Sequence, residues 1–148
     1  MINKIIFLDF DGVITSYESN FRLNPNKLAL LGKIIDATDC SLVISSTWRK
    51  EDVPTTIKTL SDETDYYNNG MKFPFCDRII GVTERLGNFG NRGKEIQKWI
   101  DDNHFSGKYV ILDDMDEMLQ DQKPYFIMTD LWEGLNDTDV EKAIKILQ

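Results

Sequence analysis

The sequence predicts an α/β protein: a three-layer, Rossmann-like fold on a mostly parallel five-stranded sheet. Three observations carry this. Five short apolar runs recur along the chain, rich in Ile, Val and Phe. Four are close to continuously apolar, as strands covered on both faces are. Between them lie stretches with apolar residues at helical spacing, and such alternation marks a parallel sheet with right-handed crossovers.

The strands are expected at Ile2 to Leu8, Ser41 to Ile44, Arg78 to Val82, Tyr109 to Leu112 and Tyr125 to Met128. Asn24-Pro25 offers an N-cap followed by proline at the first helical position, and Leu28, Leu31 and Ile35 then share one face. Ile96, Trp99 and Ile100 make a second apolar stripe after Gly93, and Val140, Ala143, Ile144 and Leu147 make a third. Short helices are expected at Val53 to Leu60 and near Met115 to Leu119. The stretch 62–93, with Tyr66, Tyr67, Phe73, Phe75 and Phe89, is irregular. It reads as a packed loop or as a flap over a site.

The chain has 148 residues, enough for one domain spanning 1–148. Its net charge of -8 argues against an extended surface for duplex nucleic acid, yet leaves room for a small basic pocket. No apolar run approaches the ~18 residues of a membrane span, so no membrane partner is expected. MINKIIFLDFDG meets acids too early for a signal or transit peptide. Cys40 and Cys76 have neither disulfide nor metal-site spacing, and read as reduced thiols of a cytoplasmic protein.

Ligands of an open parallel sheet bind beyond the carboxyl ends of its strands. There the chain supplies Asp9 and Asp11, then Ser45, Ser46 and Thr47 with Trp48 and Arg49, then Asp113 and Asp114. Lys94 opens the helix before the fourth strand. Crowded carboxylates need a positive charge among them, and hard oxygen ligands select Mg²⁺. One carboxylate can then attack phosphorus, giving an aspartyl-phosphate. A second can protonate the leaving oxygen and later deprotonate water.

The segment Phe7-Leu8-Asp9-Phe10-Asp11-Gly12 resembles the first motif of the haloacid-dehalogenase-like (HAD) phosphohydrolases, an apolar strand followed by Asp-x-Asp-Gly. Leu42-Val43-Ile44-Ser45, Gly93-Lys94-Glu95-Ile96 and Val110-Ile111-Leu112-Asp113-Asp114 resemble the second, third and fourth motifs, in order. The resemblance implies Asp9 as nucleophile and metal ligand. It implies Asp11 as general acid/base, with its main-chain carbonyl on the metal. Ser45 and Lys94 would bind the phosphoryl group, and Asp114 or Asp113 would complete the Mg²⁺ shell. Ser45-Ser46-Thr47-Trp48-Arg49, Trp99-Ile100 and Thr129-Asp130 with Gly134-Leu135 are similar to small HAD domains associated with nucleic-acid repair. That likeness implies Arg49 as a phosphate contact and a nucleotide or polynucleotide-end phosphate as substrate.

Arg92 is weighed as a substrate contact and set behind Arg49. Trp48 adjoins the expected pocket and can stack on a base. Asp130 is read as structural, His104 as a helix-end residue, and Trp99 and Trp132 as core. Neither segment flanking the second strand spans a full cap domain, so a minimal-cap or capless enzyme with an open site is expected. The competing classes are a phosphatase of small metabolites or proteins, a signalling receiver and a silent binding module. The receiver places its phospho-acceptor after a later strand and its lysine after the last.

Overall fold

The computed structural model describes residues 2–87 and 90–148. Its strands are β1 (Lys4–Leu8), β2 (Ser41–Ile44), β3 (Ile79–Val82), β4 (Lys108–Asp113) and β5 (Phe126–Met128). They form one sheet of order β3-β2-β1-β4-β5, and each of the four pairings is parallel. The helices are α1 (Pro25–Thr38), α2 (Val53–Leu60), α3 (Arg92–Asp102) and α4 (Asp137–Leu147). No helix among the described residues is long and apolar enough to cross a membrane.

The two-residue period of β1 splits the core into two layers. Ile6 and Leu8 pack with Leu31 and Ile34 of α1 and with Val140 and Ala143 of α4. Ile5 and Phe7 face the other way, onto Ile96 and Trp99 of α3. Phe7 meets the Trp99 ring edge-on at 5.7 Å. This is the expected three-layer α/β fold, with an all-parallel sheet. No cap domain is inserted among the described residues; a single 3₁₀ turn, Tyr17–Ser19, separates β1 from α1.

Local chemistry sets the helix ends. The Asn24 side chain accepts from the Asn26 amide at 3.0 Å, and Asp52 caps α2 through the Thr55 amide at 2.8 Å. Asn136 and Asp139 close a reciprocal capping box on α4.

The helix expected near Met115 to Leu119 does not form. Its main-chain groups serve other elements: the Glu117 carbonyl accepts from Gly93 at the start of α3, and the Leu119 amide donates to Gln122 Oε1. The helical turn comes later, as 3₁₀, at Gln120–Tyr125. Trp132, expected in the core, is 61% exposed and lies edge-on to Tyr17 at 4.8 Å.

The stretch 62–93 is in large part packed chain. Phe73 is buried against Phe10 at 5.3 Å. Asn68 donates its side-chain amide to the carbonyls of Thr59 and Asp62. Asn88 and Phe89, part of the expected flap, lie outside the described residues.

Leu31 is fully buried between the sheet and α4. Leu31→Ala is expected to lower unfolding free energy by roughly 2–5 kcal/mol, read as a fall in urea midpoint at constant slope.

Candidate active site

The parallel register determines which residues leave the sheet side by side. Leu8 is level with Ile44 and Leu112, and Ile44 with Val82. The next residue of each strand therefore falls in one row: Thr83, Ser45, Asp9 and Asp113. The hydrogen-bond ladder runs on to hold it, with Thr83 N donating to Ile44 O, Ser45 N to Leu8 O and Asp9 N to Leu112 O. By the period of two, the row faces the α3 layer.

Asp9 and Asp113 are both buried, and Arg92 joins them from the first turn of α3. Its Nη1 lies 3.3 Å from Asp9 Oδ1 and 2.7 Å from Asp113 Oδ2. Burial pushes the Asp9 carboxyl well up, and the charge of Asp113 adds to this; Arg92 pulls the other way. Burial likewise pushes Asp113 up to about 6 against the pull of Arg92.

Asp114 completes the cluster: one oxygen each from Asp9, Asp113 and Asp114 lies within 4.8 Å of the others. Gly12 makes this approach possible. Its φ is +78°, and a Cβ there would stand 2.7 Å from Asp114 Cγ. Three convergent hard oxygen donors fit a small divalent cation such as Mg²⁺. Asp113 has little left to offer it, since Oδ2 holds Arg92 and Oδ1 accepts the Met115 amide.

Asp11 is half-buried at the other side of the loop. Its Oδ1 accepts from Thr15 Oγ1 and from Trp48 Nε1, each at 3.2 Å. Burial raises its carboxyl, and these two hydrogen bonds temper the rise. The Gly12 carbonyl is pinned by Thr129 Oγ1 at 2.6 Å.

Ser45 Oγ and Thr83 Oγ1 are buried and have no hydrogen-bond partner among the described residues. A buried hydroxyl left unpaired is costly, so two adjacent ones mark a place for a polar ligand.

Two sequence-predicted contacts sit differently from expectation. Lys94 is exposed and does not line the acid-lined cavity, whereas Arg92 does. Helix phase explains it. Arg92 lies four residues before Ile96, on the buried stripe, and Lys94 only two before, on the opposite side. The apolar stripe carried that signal in the sequence.

Arg49 is buried and its donors are largely spent. Nε donates to Thr83 O, Nη1 to Ser45 O and Ser46 O, and Nη2 to Glu95 Oε1 at 3.0 Å. It braces the loop after β2. Glu95 and Arg85 were not anticipated. Glu95 takes Arg49 on one oxygen and the Leu86 amide on the other. Arg85 holds the carbonyls of Thr47 and Arg49. An acid on an apolar helix stripe was the available sign for Glu95.

Asp9, Asp11, Arg49, Arg85, Arg92, Glu95, Asp114 and Glu117 are among the residues that wall a cavity of about 310 Å³. A second cavity, of about 430 Å³, adjoins it through Asp11.

Residues 5–140 match a family model described as the HAD domain in Swiss Army Knife RNA repair proteins. No curated protein and no solved structure gives a significant match. The matched span covers nearly the whole chain, and the protein belongs to this HAD family.

The raised carboxyl of Asp113 has a pH signature. Its proton is held more tightly folded than unfolded, where a carboxyl titrates near ~4. Its burial therefore costs stability as pH rises from about 4 through about 6, a cost that a cation held at the neighbouring carboxylates would offset. Mg²⁺ is expected to raise the melting temperature more at pH 7.5 than at pH 5. Equal shifts, or none, would count against cation binding at this cluster.

Proposed function

We propose that this HAD domain is a Mg²⁺-dependent phosphomonoesterase that passes the phosphoryl group through Asp9. Its substrate in this reading is a nucleotide or the phosphorylated end of a polynucleotide. The observation that carries the proposal is the meeting of Asp9, Asp113 and Asp114 oxygens within 4.8 Å, beside the unpartnered hydroxyl of Ser45.

Asp9 and Asp114 are the side chains with oxygens to spare for Mg²⁺; the main-chain carbonyl of Asp11 is the third donor the HAD motif implies. When bound, the cation offsets the carboxylate repulsion and polarises a phosphoryl oxygen. A carboxylate oxygen of Asp9 attacks phosphorus as the bond to the ester oxygen breaks. Asp11, in its acid form, gives its proton to that leaving oxygen; its raised carboxyl suits this role. A water oxygen then attacks the phosphorus on Asp9 while Asp11 takes the water's proton. Inorganic phosphate leaves and Asp9 is restored.

Ser45 Oγ donates to the transferring phosphoryl group. The cation beside it is Arg92, since the exposed Lys94 stands outside the cavity. A guanidinium also matches two phosphoryl oxygens better than an ammonium does. Arg49 positions the loop that carries Ser45.

Substrate class rests on two supports. With no cap domain inserted among the described residues, a phosphate on a bulky group can enter. The family's description places its HAD domains in RNA repair proteins. The acidic surface disfavours a long duplex and leaves a nucleotide or a strand end.

Hydrolysis of an aryl phosphate with Mg²⁺ tests the roles. Asp9→Asn and Asp11→Asn are each expected to lower kcat by at least ~100-fold. Arg92→Ala should lower kcat/KM by roughly 100-fold and Lys94→Ala by less than about 3-fold, in variants whose circular dichroism matches the wild type. The reverse order for Arg92 and Lys94 would refute the assignment of the cation.

A further inference from the structure

We propose that the second cavity is a nucleobase subsite: it holds the base of the nucleotide whose phosphate enters the acid-lined cavity. The inference rests on the phosphatase reading for the neighbouring site and adds what binds beside it.

The cavity has about 430 Å³, within the range of small-ligand sites, and its walls include Phe21, Trp48 and Tyr67. Asp11 lines both cavities, so a ligand bridging them has its phosphate on one side of that carboxylate and its remainder on the other. Trp48 ties the two together through its indole N–H on Asp11.

Three aromatic walls favour a flat ring. Trp48 is backed by Phe10 at 4.9 Å and met by Tyr67 at 6.0 Å. Phe21 reaches the cavity from an uncommon backbone. Its φ is +57°, directly after Asn20 at +54°, a conformation that bulky residues avoid. The Ser19 hydroxyl holds this turn, accepting from Ser16 N and donating to Arg22 O at 2.6 Å.

The polar groups favour a base over a plain hydrocarbon ring. Both N–H groups of the Asn68 amide are spent on the carbonyls of Thr59 and Asp62. That fixes the amide's orientation and leaves its Oδ1 as an acceptor suited to an exocyclic amino group. Lys50 adds a cation at the same wall. Aromatic stacking supplies affinity without a long basic groove, as the net charge of -8 requires.

The test is calorimetric binding to the Asp9→Asn protein with Mg²⁺, using adenosine 3′- and 5′-monophosphate against ribose 5-phosphate, which lacks the base. The better adenosine monophosphate is expected to bind at least roughly 10-fold more tightly, the size of one stacked base. Tyr67→Ala should erase that advantage and Tyr67→Phe should keep it. Tyr67 is 55% exposed, so neither change empties the core. Equal binding of the two probe types, no binding of either, or an advantage that survives Tyr67→Ala would overturn the subsite. Wild-type turnover separates the two readings. Base-dependent binding without hydrolysis of any ester keeps the subsite and removes the phosphatase; hydrolysis without base preference does the reverse.

Discussion

Three carboxylates share a small volume at the carboxyl edge of the sheet, and the guanidinium of Arg92 makes this tolerable. Two like charges at such range in a poorly hydrated place repel strongly; a cation 2.7 Å from one and 3.3 Å from the other offsets part of that repulsion. The acids in turn hold Arg92, at the start of α3, against the end of β1. Sheet, helix and site meet at this contact. Even so the Asp9 and Asp113 carboxyls stay raised, and the proposed divalent cation would complete the compensation.

A second ion pair does different work. Arg49 and Glu95 are both nearly fully buried and meet at 3.0 Å. Buried pairs often add little net stability, but removing one partner leaves an uncompensated charge at a cost of about 3–5 kcal/mol. Here the pair fixes a loop. Arg49 gathers the carbonyls of Ser45, Ser46 and Thr83 and anchors them to α3 through Glu95. The two unpartnered hydroxyls, of Ser45 and Thr83, thus sit on braced backbone at the strand ends. Preorganised donors of this kind need no rearrangement as charge develops on a bound phosphoryl group.

Much of this was legible in the residues, because the informative patterns are local. The apolar run ending at Leu8, the Asn-Pro start of α1 and the Asp-x-Asp-Gly turn each carry their structure within a few positions. Chain direction in a parallel sheet then brings Asp9, Ser45 and Asp113 to one edge. What was not legible depends on partners far along the chain. Met115 to Leu119 has helical composition, yet its main chain is committed to Gly93 and Gln122. Trp132 is a large aromatic in a turn that the fold leaves outside. Arg49 follows the serine as a phosphate contact would, but its donors go to carbonyls just beyond β2 and β3 and to the Glu95 carboxylate. Lys94 and Arg92 differ by two residues, and helix phase puts them on opposite sides of α3.

The central claim is that Asp9 carries the phosphoryl group. Single turnover of a phosphate ester with a radiolabelled phosphoryl group, quenched in acid and mapped by peptide, tests it directly. The account predicts label on the peptide bearing Asp9, released by hydroxylamine as an acyl phosphate and absent from Asp9→Asn. Label on Ser45, or rapid hydrolysis with no labelled protein at any quench time, would contradict it.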